Sequence, residues 1–123
     1  MHPRWLMIAC ALGFLCVAAG AFGAHALKAR LTEDLMAVFQ TGVQYAMLHV
    51  VALVAVSAVA ARQPSGAATL AGILFCVGVV LFSGSLWTMA LTGMRWLGAI
   101  TPLGGLCFLA GWLALARAAS KFE

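Results

Sequence analysis

Four runs of mainly apolar residues, at about residues 5–26, 43–61, 67–91 and 96–116, occupy most of a chain of 123 residues. Each is close to the roughly 20 residues that a helix needs to cross a bilayer core of about 30 Å. The links between them are short, so no room is left for a separate soluble domain. Soluble domains carry roughly 25% charged residues, whereas here 8% are charged and 65% are hydrophobic. The pattern therefore predicts an all-α fold made of one integral membrane domain, a four-helix transmembrane bundle in contact with the lipid bilayer. The net charge of +4 is divided among the links, with no basic patch interleaved with aromatics, and this argues against a nucleic-acid partner.

The first run follows His2, Pro3 and Arg4 and has the outline of a signal peptide with Ala24 and Ala26 at a cleavage site. Its apolar stretch exceeds the 7 to 15 residues of a signal core, and Gly13, Gly20 and Gly23 suit a packed helix, so it is expected to be retained. Gly20 with Ala24, and Ala19 with Gly23, form the small-xxx-small spacing that admits a close neighbour. After Lys28 and Arg30, Thr32 reads as an N-cap. Glu33 and Asp34 lie in the first turn, and Leu31 is placed to staple onto Met36. A short amphipathic interfacial helix is expected over about 33–41, with the chain turning into the membrane near Gly42. The turn from Arg62 to Gly66 contains Pro64 and ends span two. The brief link from Thr92 to Arg95 makes spans three and four antiparallel neighbours. Arg117, Lys121 and Glu123 form a polar tail. Cys10, Cys16, Cys76 and Cys107 all lie in apolar runs without a C-x-x-C pair, so buried free thiols are expected.

The polar residues inside these runs are few. Thr41, Tyr45 and His49 recur every four residues and share a helix face, with Gln40 and Gln44 on the next. Counted from the expected span ends, His49 is roughly 9 Å deep, Ser83 and Ser85 roughly 9 to 12 Å, and Thr101 roughly 8 Å, with His25 above them. The candidate site is thus one polar layer of His25, Thr41, Gln44, Tyr45, His49, Ser83, Ser85 and Thr101. Pro102 frees a backbone carbonyl nearby, and Gly104 with Gly105 permits close approach. Such a layer either bonds to itself as packing or forms a polar pocket, because ionisable groups within a membrane are functional hypotheses.

No specific chemistry emerges. Haem would need His25 and His49 as axial ligands, and their depths disagree, so no cofactor is expected and no metal site is assigned. Ion coupling lacks an Asp or Glu within a span. Ser83 or Ser85 with His49 has the atoms of a nucleophile and base, but no elbow or oxyanion motif surrounds them, so no catalytic residue is assigned. Arg4, Arg62, Arg117 and Lys121 on one side oppose Lys28, Arg30 and Arg95 on the other, which favours both termini in the cytoplasm. Trp5 and Trp112 would mark one membrane interface, and Trp87 and Trp96 the other.

Several spaced motifs occur in order across all four spans: Gly20-Ala-Phe-Gly-Ala-His25, Gln40-Thr-Gly-x-x-Tyr45-x-x-x-His49, Leu81-Phe-Ser-Gly-Ser-Leu86, Thr101-Pro-x-Gly-Gly105 and Phe108-Leu-Ala-Gly-Trp112. In these the chain resembles the YgdD-like small inner-membrane proteins of bacteria. The resemblance implies a four-helix protein of the bacterial inner membrane and brings no catalytic assignment. The expected role is a structural or accessory membrane component that packs with itself, as a homo-oligomer, or with a larger membrane complex. The alternative is a small-molecule or cofactor-binding or transport module built on the polar layer.

Overall fold

The computed structural model describes residues 2–122. Glu123 of the expected polar tail lies outside the described residues. Four helices are long and apolar enough to cross a membrane: α1 Pro3–Leu27, α2 Glu33–Arg62, α3 Gly66–Thr92 and α4 Arg95–Ala119. Every regular element among the described residues is helical. Thr32 caps α2 by accepting a bond from the Leu35 N–H, and Leu31 and Met36 pack in one cluster. Ser65 caps α3 in the same way, through the Ala68 N–H. Gly93 ends α3 in the left-handed conformation at φ 75°, which costs a residue without Cβ almost nothing.

One boundary differs from expectation. Residues 33–41 are helical, but they are the first turns of a single 30-residue helix that continues through Gly42 without a break. The glycine serves close packing: a Cβ there would stand 2.7 Å from Nε1 of Trp87. A helix of this length extends about 45 Å, well beyond a core of about 30 Å. Counting about 20 residues back from Arg62, the first charged side chain at the other end, places the opposite edge of the hydrocarbon near Gly42. The turns before it continue outward as a rigid extension, tied by an Arg95 to Asp34 salt bridge to the α3–α4 link.

The helices pack in chain order, α1 on α2, α2 on α3 and α3 on α4, while the backbones of α2 and α4 stay apart and meet through side chains around His49. The middle pair is therefore the most buried, and α1 and α4 turn broad faces to the lipid, with Phe14, Phe22, Leu109 and Leu113 exposed on them. Cys10 lies on such a face and is exposed, whereas Cys16 is buried and Cys76 and Cys107 are half-buried; all four are free thiols. Small residues allow the close contacts: Gly20 and Gly23 of α1 abut Val43 and Phe39, and a Cβ at Gly104 would run into the backbone of Phe82. At the N-terminal end, His2 and Ser57 exchange two bonds, His2 N–H to the Ser57 carbonyl at 3.0 Å and Ser57 Oγ–H to the His2 carbonyl at 2.9 Å. The indole of Trp5 meets Gly72 across the bundle. Two stretches, Ala18–Gly23 in α1 and Val79–Ser83 in α3, are wound as π-helix.

Candidate functional site

The buried face of α2 runs through Phe39, Gly42, Val43, Ala46, His49, Leu53 and Val56. It coincides with the expected polar stripe only at His49. Thr41 turns its hydroxyl back to the Ala37 carbonyl of its own helix, and Gln44 is exposed. Tyr45 is 43% exposed and lays its ring against Phe82, with centroids 4.6 Å apart. His25 is also exposed, near the end of α1, so it does not roof a layer.

The remaining groups form two tiers instead of one. In the outer tier, the buried Ser83 hydroxyl donates to the Gly42 carbonyl at 2.7 Å, and Trp87 Nε1 donates to the Phe39 carbonyl at 3.2 Å. Ser85 donates to the Phe82 carbonyl at 2.9 Å and lies 2.6 Å from Thr101 Oγ1. A hydroxyl has one proton, so Thr101 is the donor in that pair. The inner tier is His49, two turns or about 10 Å further along α2 than Gly42. Depths counted from an α2 that begins at residue 43 put His49 level with the serines. The helix begins at Glu33, opposite the end of α3 at Thr92, and that moves His49 below them.

His49 is 2% exposed. Its ring stacks on Phe108 with centroids 3.6 Å apart and planes 8° from parallel, Trp112 stands edgewise to it, and Phe75 is tilted against it. Trp112 Nε1 lies 3.1 Å from His49 Nε2, and His49 Nδ1 lies 2.6 Å from the Tyr45 carbonyl. An indole nitrogen can only donate and a carbonyl can only accept. The imidazole is therefore the neutral tautomer with its proton on Nδ1, and both nitrogens are engaged. A ligating or basic role would require Trp112 to release Nε2. Neither Ser83 nor Ser85 is bonded to His49. Trp112, expected at an interface, instead reaches inward to this ring. The four-residue step from Phe108 to Trp112 was the one sequence sign of an aromatic wall.

Beside the inner tier, where α2 and α4 diverge, runs a groove of about 540 Å³ open to the bilayer. Tyr45, Leu48 and His49 line it from α2, residues between Pro102 and Trp112 from α4, and Phe82 from α3. Ser83, Ser85 and Thr101 take no part in its lining. The groove is thus mainly apolar; His49 borders it with both ring nitrogens already bonded, to the Tyr45 carbonyl and to Trp112. Among the described residues no cluster of three or more His, Cys, Asp or Glu residues could hold a metal ion.

Four apolar helices whose buried polar side-chain atoms, His2 Nδ1 apart, are hydrogen-bonded inside, with apolar side chains outside, define a small multi-pass integral membrane protein. Residues 19–105 match the family described as "Protein of unknown function (DUF423)", and the chain belongs to that family. It is 46% identical to a UPF0382 membrane protein of Staphylococcus haemolyticus over 90% of this chain and 93% of that one. It is 44% identical to the UPF0382 membrane protein YwdK of Bacillus subtilis over 88% and 89%. With the UPF0382 inner membrane protein YgdD of Escherichia coli K12 it shares 36% over 100% and 95%. No solved structure matches.

Proposed function

We propose that this protein is a structural or accessory component of the bacterial inner membrane, with both termini in the cytoplasm, that works by packing against itself or a larger membrane complex. The observation that carries this reading is the closed bonding of His49, the buried histidine of α2, whose two ring nitrogens meet Tyr45 and Trp112. A binding or transport centre needs a group left over for its cargo, and this one has none. The broad apolar faces of α1 and α4 supply the surfaces that a neighbouring helix would cover. Printed names of relatives support membrane residence and, for YgdD, the inner membrane.

His49→Ala tests the reading. A packing role lowers the thermal midpoint in detergent, and an unchanged midpoint overturns it. Purification in mild detergent, followed by crosslinking and identification of co-purifying proteins, tests the packing partner; a protein that stays a lone monomer refutes that part. Reporters fused after Lys121 test the topology, and a periplasmic reporter signal overturns it.

A further inference from the structure

We propose that the groove between α2 and α4 holds one acyl chain of a bilayer phospholipid, with the ester carbonyl of that chain accepting a hydrogen bond from Tyr45. Three observations converge on this occupant. The groove opens sideways to the lipid that already surrounds the bundle, and it extends along α4 from Pro102 to Trp112, about 15 Å parallel to the helices and hence to the chains of the bilayer. Its lining is aliphatic and aromatic apart from the neutral, fully bonded imidazole of His49, which suits methylene groups and no charged ligand. Tyr45 lines it while its hydroxyl has no hydrogen-bond partner among the described residues.

The level of that hydroxyl selects the carbonyl. With the hydrocarbon edge near Gly42, Tyr45 is one turn inside it, and helical side chains lean towards the N-terminus of their helix, which on α2 is the nearer surface. The phenol therefore points back to the depth at which glycerol esters sit. A phenolic hydroxyl left in hydrocarbon without an acceptor is costly, and an ester carbonyl removes that cost. The occupant is a lipid of the leaflet on the Lys28 and Arg95 side. His49 borders the groove but offers the lipid no free nitrogen, since Tyr45 and Trp112 hold both, so this inference stands apart from the accessory role.

The test uses the full-length protein, purified in mild detergent, delipidated, and titrated with palmitoyl-oleoyl phosphatidylethanolamine under native mass spectrometry. The same titration is run with the ether-linked analogue, which keeps the chains and lacks the carbonyls. Wild type is expected to bind one ester lipid and to prefer it over the ether lipid by roughly 2- to 10-fold, the range of one net hydrogen bond. Tyr45→Phe keeps the ring and removes the hydroxyl, so it loses that preference while still binding. Gly105→Leu fills the groove, since its Cβ meets only Phe82 Cδ2 at 4.0 Å, and abolishes one-to-one binding. Circular dichroism establishes that each variant is folded, and an unfolded Gly105→Leu leaves the ester-to-ether comparison to decide. Absence of a saturable lipid, an ester preference that survives Tyr45→Phe, equal affinity for ester and ether lipid, or a dimer that excludes lipid would each overturn the proposal.

Discussion

Trp112 donates its indole N–H to His49 Nε2 across the α2–α4 divide at 3.1 Å, and this is a direct polar tie between two helices whose backbones stay apart. The bond fixes the tautomer, and the Tyr45 carbonyl on the other side of the ring fixes its orientation. Stacking on Phe108 then holds the imidazole flat against α4.

Removing the donor should therefore be felt at both residues. Trp112→Phe preserves much of the apolar contact and leaves Nε2 without a partner, a loss of roughly 1 kcal/mol by the measured scale for bonds between membrane helices. Chemical unfolding in mixed micelles should show that loss. A double variant with His49→Leu should lose less than the sum of the two single changes, and strict additivity would mean that the two side chains are not coupled.

Neighbouring glycines on α4 should behave oppositely. A methyl at Gly104 meets the Phe82 backbone, which cannot swing aside, whereas one at Gly105 meets only a ring carbon at 4.0 Å. Gly104→Ala should destabilise by roughly 1 to 3 kcal/mol, as overpacked cores do. Gly105→Ala should be neutral or gain up to about 1 kcal/mol from helix propensity. Thermal midpoints in one detergent compare them directly, and equal midpoints would refute the α3–α4 contact described here.

Gly42→Ala should fail for a reason that can be reversed. The added methyl strikes the Trp87 indole and displaces its bond to the Phe39 carbonyl. Trp87→Leu in the same chain removes the obstacle, so the double variant should be more stable than Gly42→Ala alone. If it is less stable, the indole is not what Gly42 accommodates.

The Arg95 to Asp34 pair should matter little to stability. Both side chains are more than half exposed, and ion pairs in water are weak and screened by salt. Arg95→Gln should leave the thermal midpoint within error at moderate ionic strength, and a clear drop would show that the link does more than close a loop.

Much of this architecture was legible before any coordinates. The Thr32 cap, the turn containing Pro64, the short link at Gly93 and the four apolar runs are local signals with local causes. What escaped were matters of depth and facing. Gly42 looks like a place to break a helix because glycine weakens one, and only the Trp87 indole on another helix explains why it stays. Starting α2 at 43 instead of 33 raises His49 by about 15 Å against α3 and merges two tiers into one. The stripe of Thr41, Tyr45 and His49 is a regular set of polar groups, yet burial follows the apolar and small residues at 39, 42, 46 and 53, and the two stripes cross only at His49. Trp112 was read by composition as an interface marker because its acceptor lies 63 positions away in the chain.

The two π-wound stretches, Ala18–Gly23 and Val79–Ser83, bear on how such a chain tolerates change of length. In an α-helix each residue turns the chain by about 100°, so one inserted or deleted position swings everything beyond it to a new side. A π turn already carries one residue more than an α turn. Deleting a residue within it therefore returns the segment to ordinary winding while the flanking stretches keep their facing. These two sites are expansion joints in the winding, places where the loss of one residue leaves the two flanking stretches facing as before.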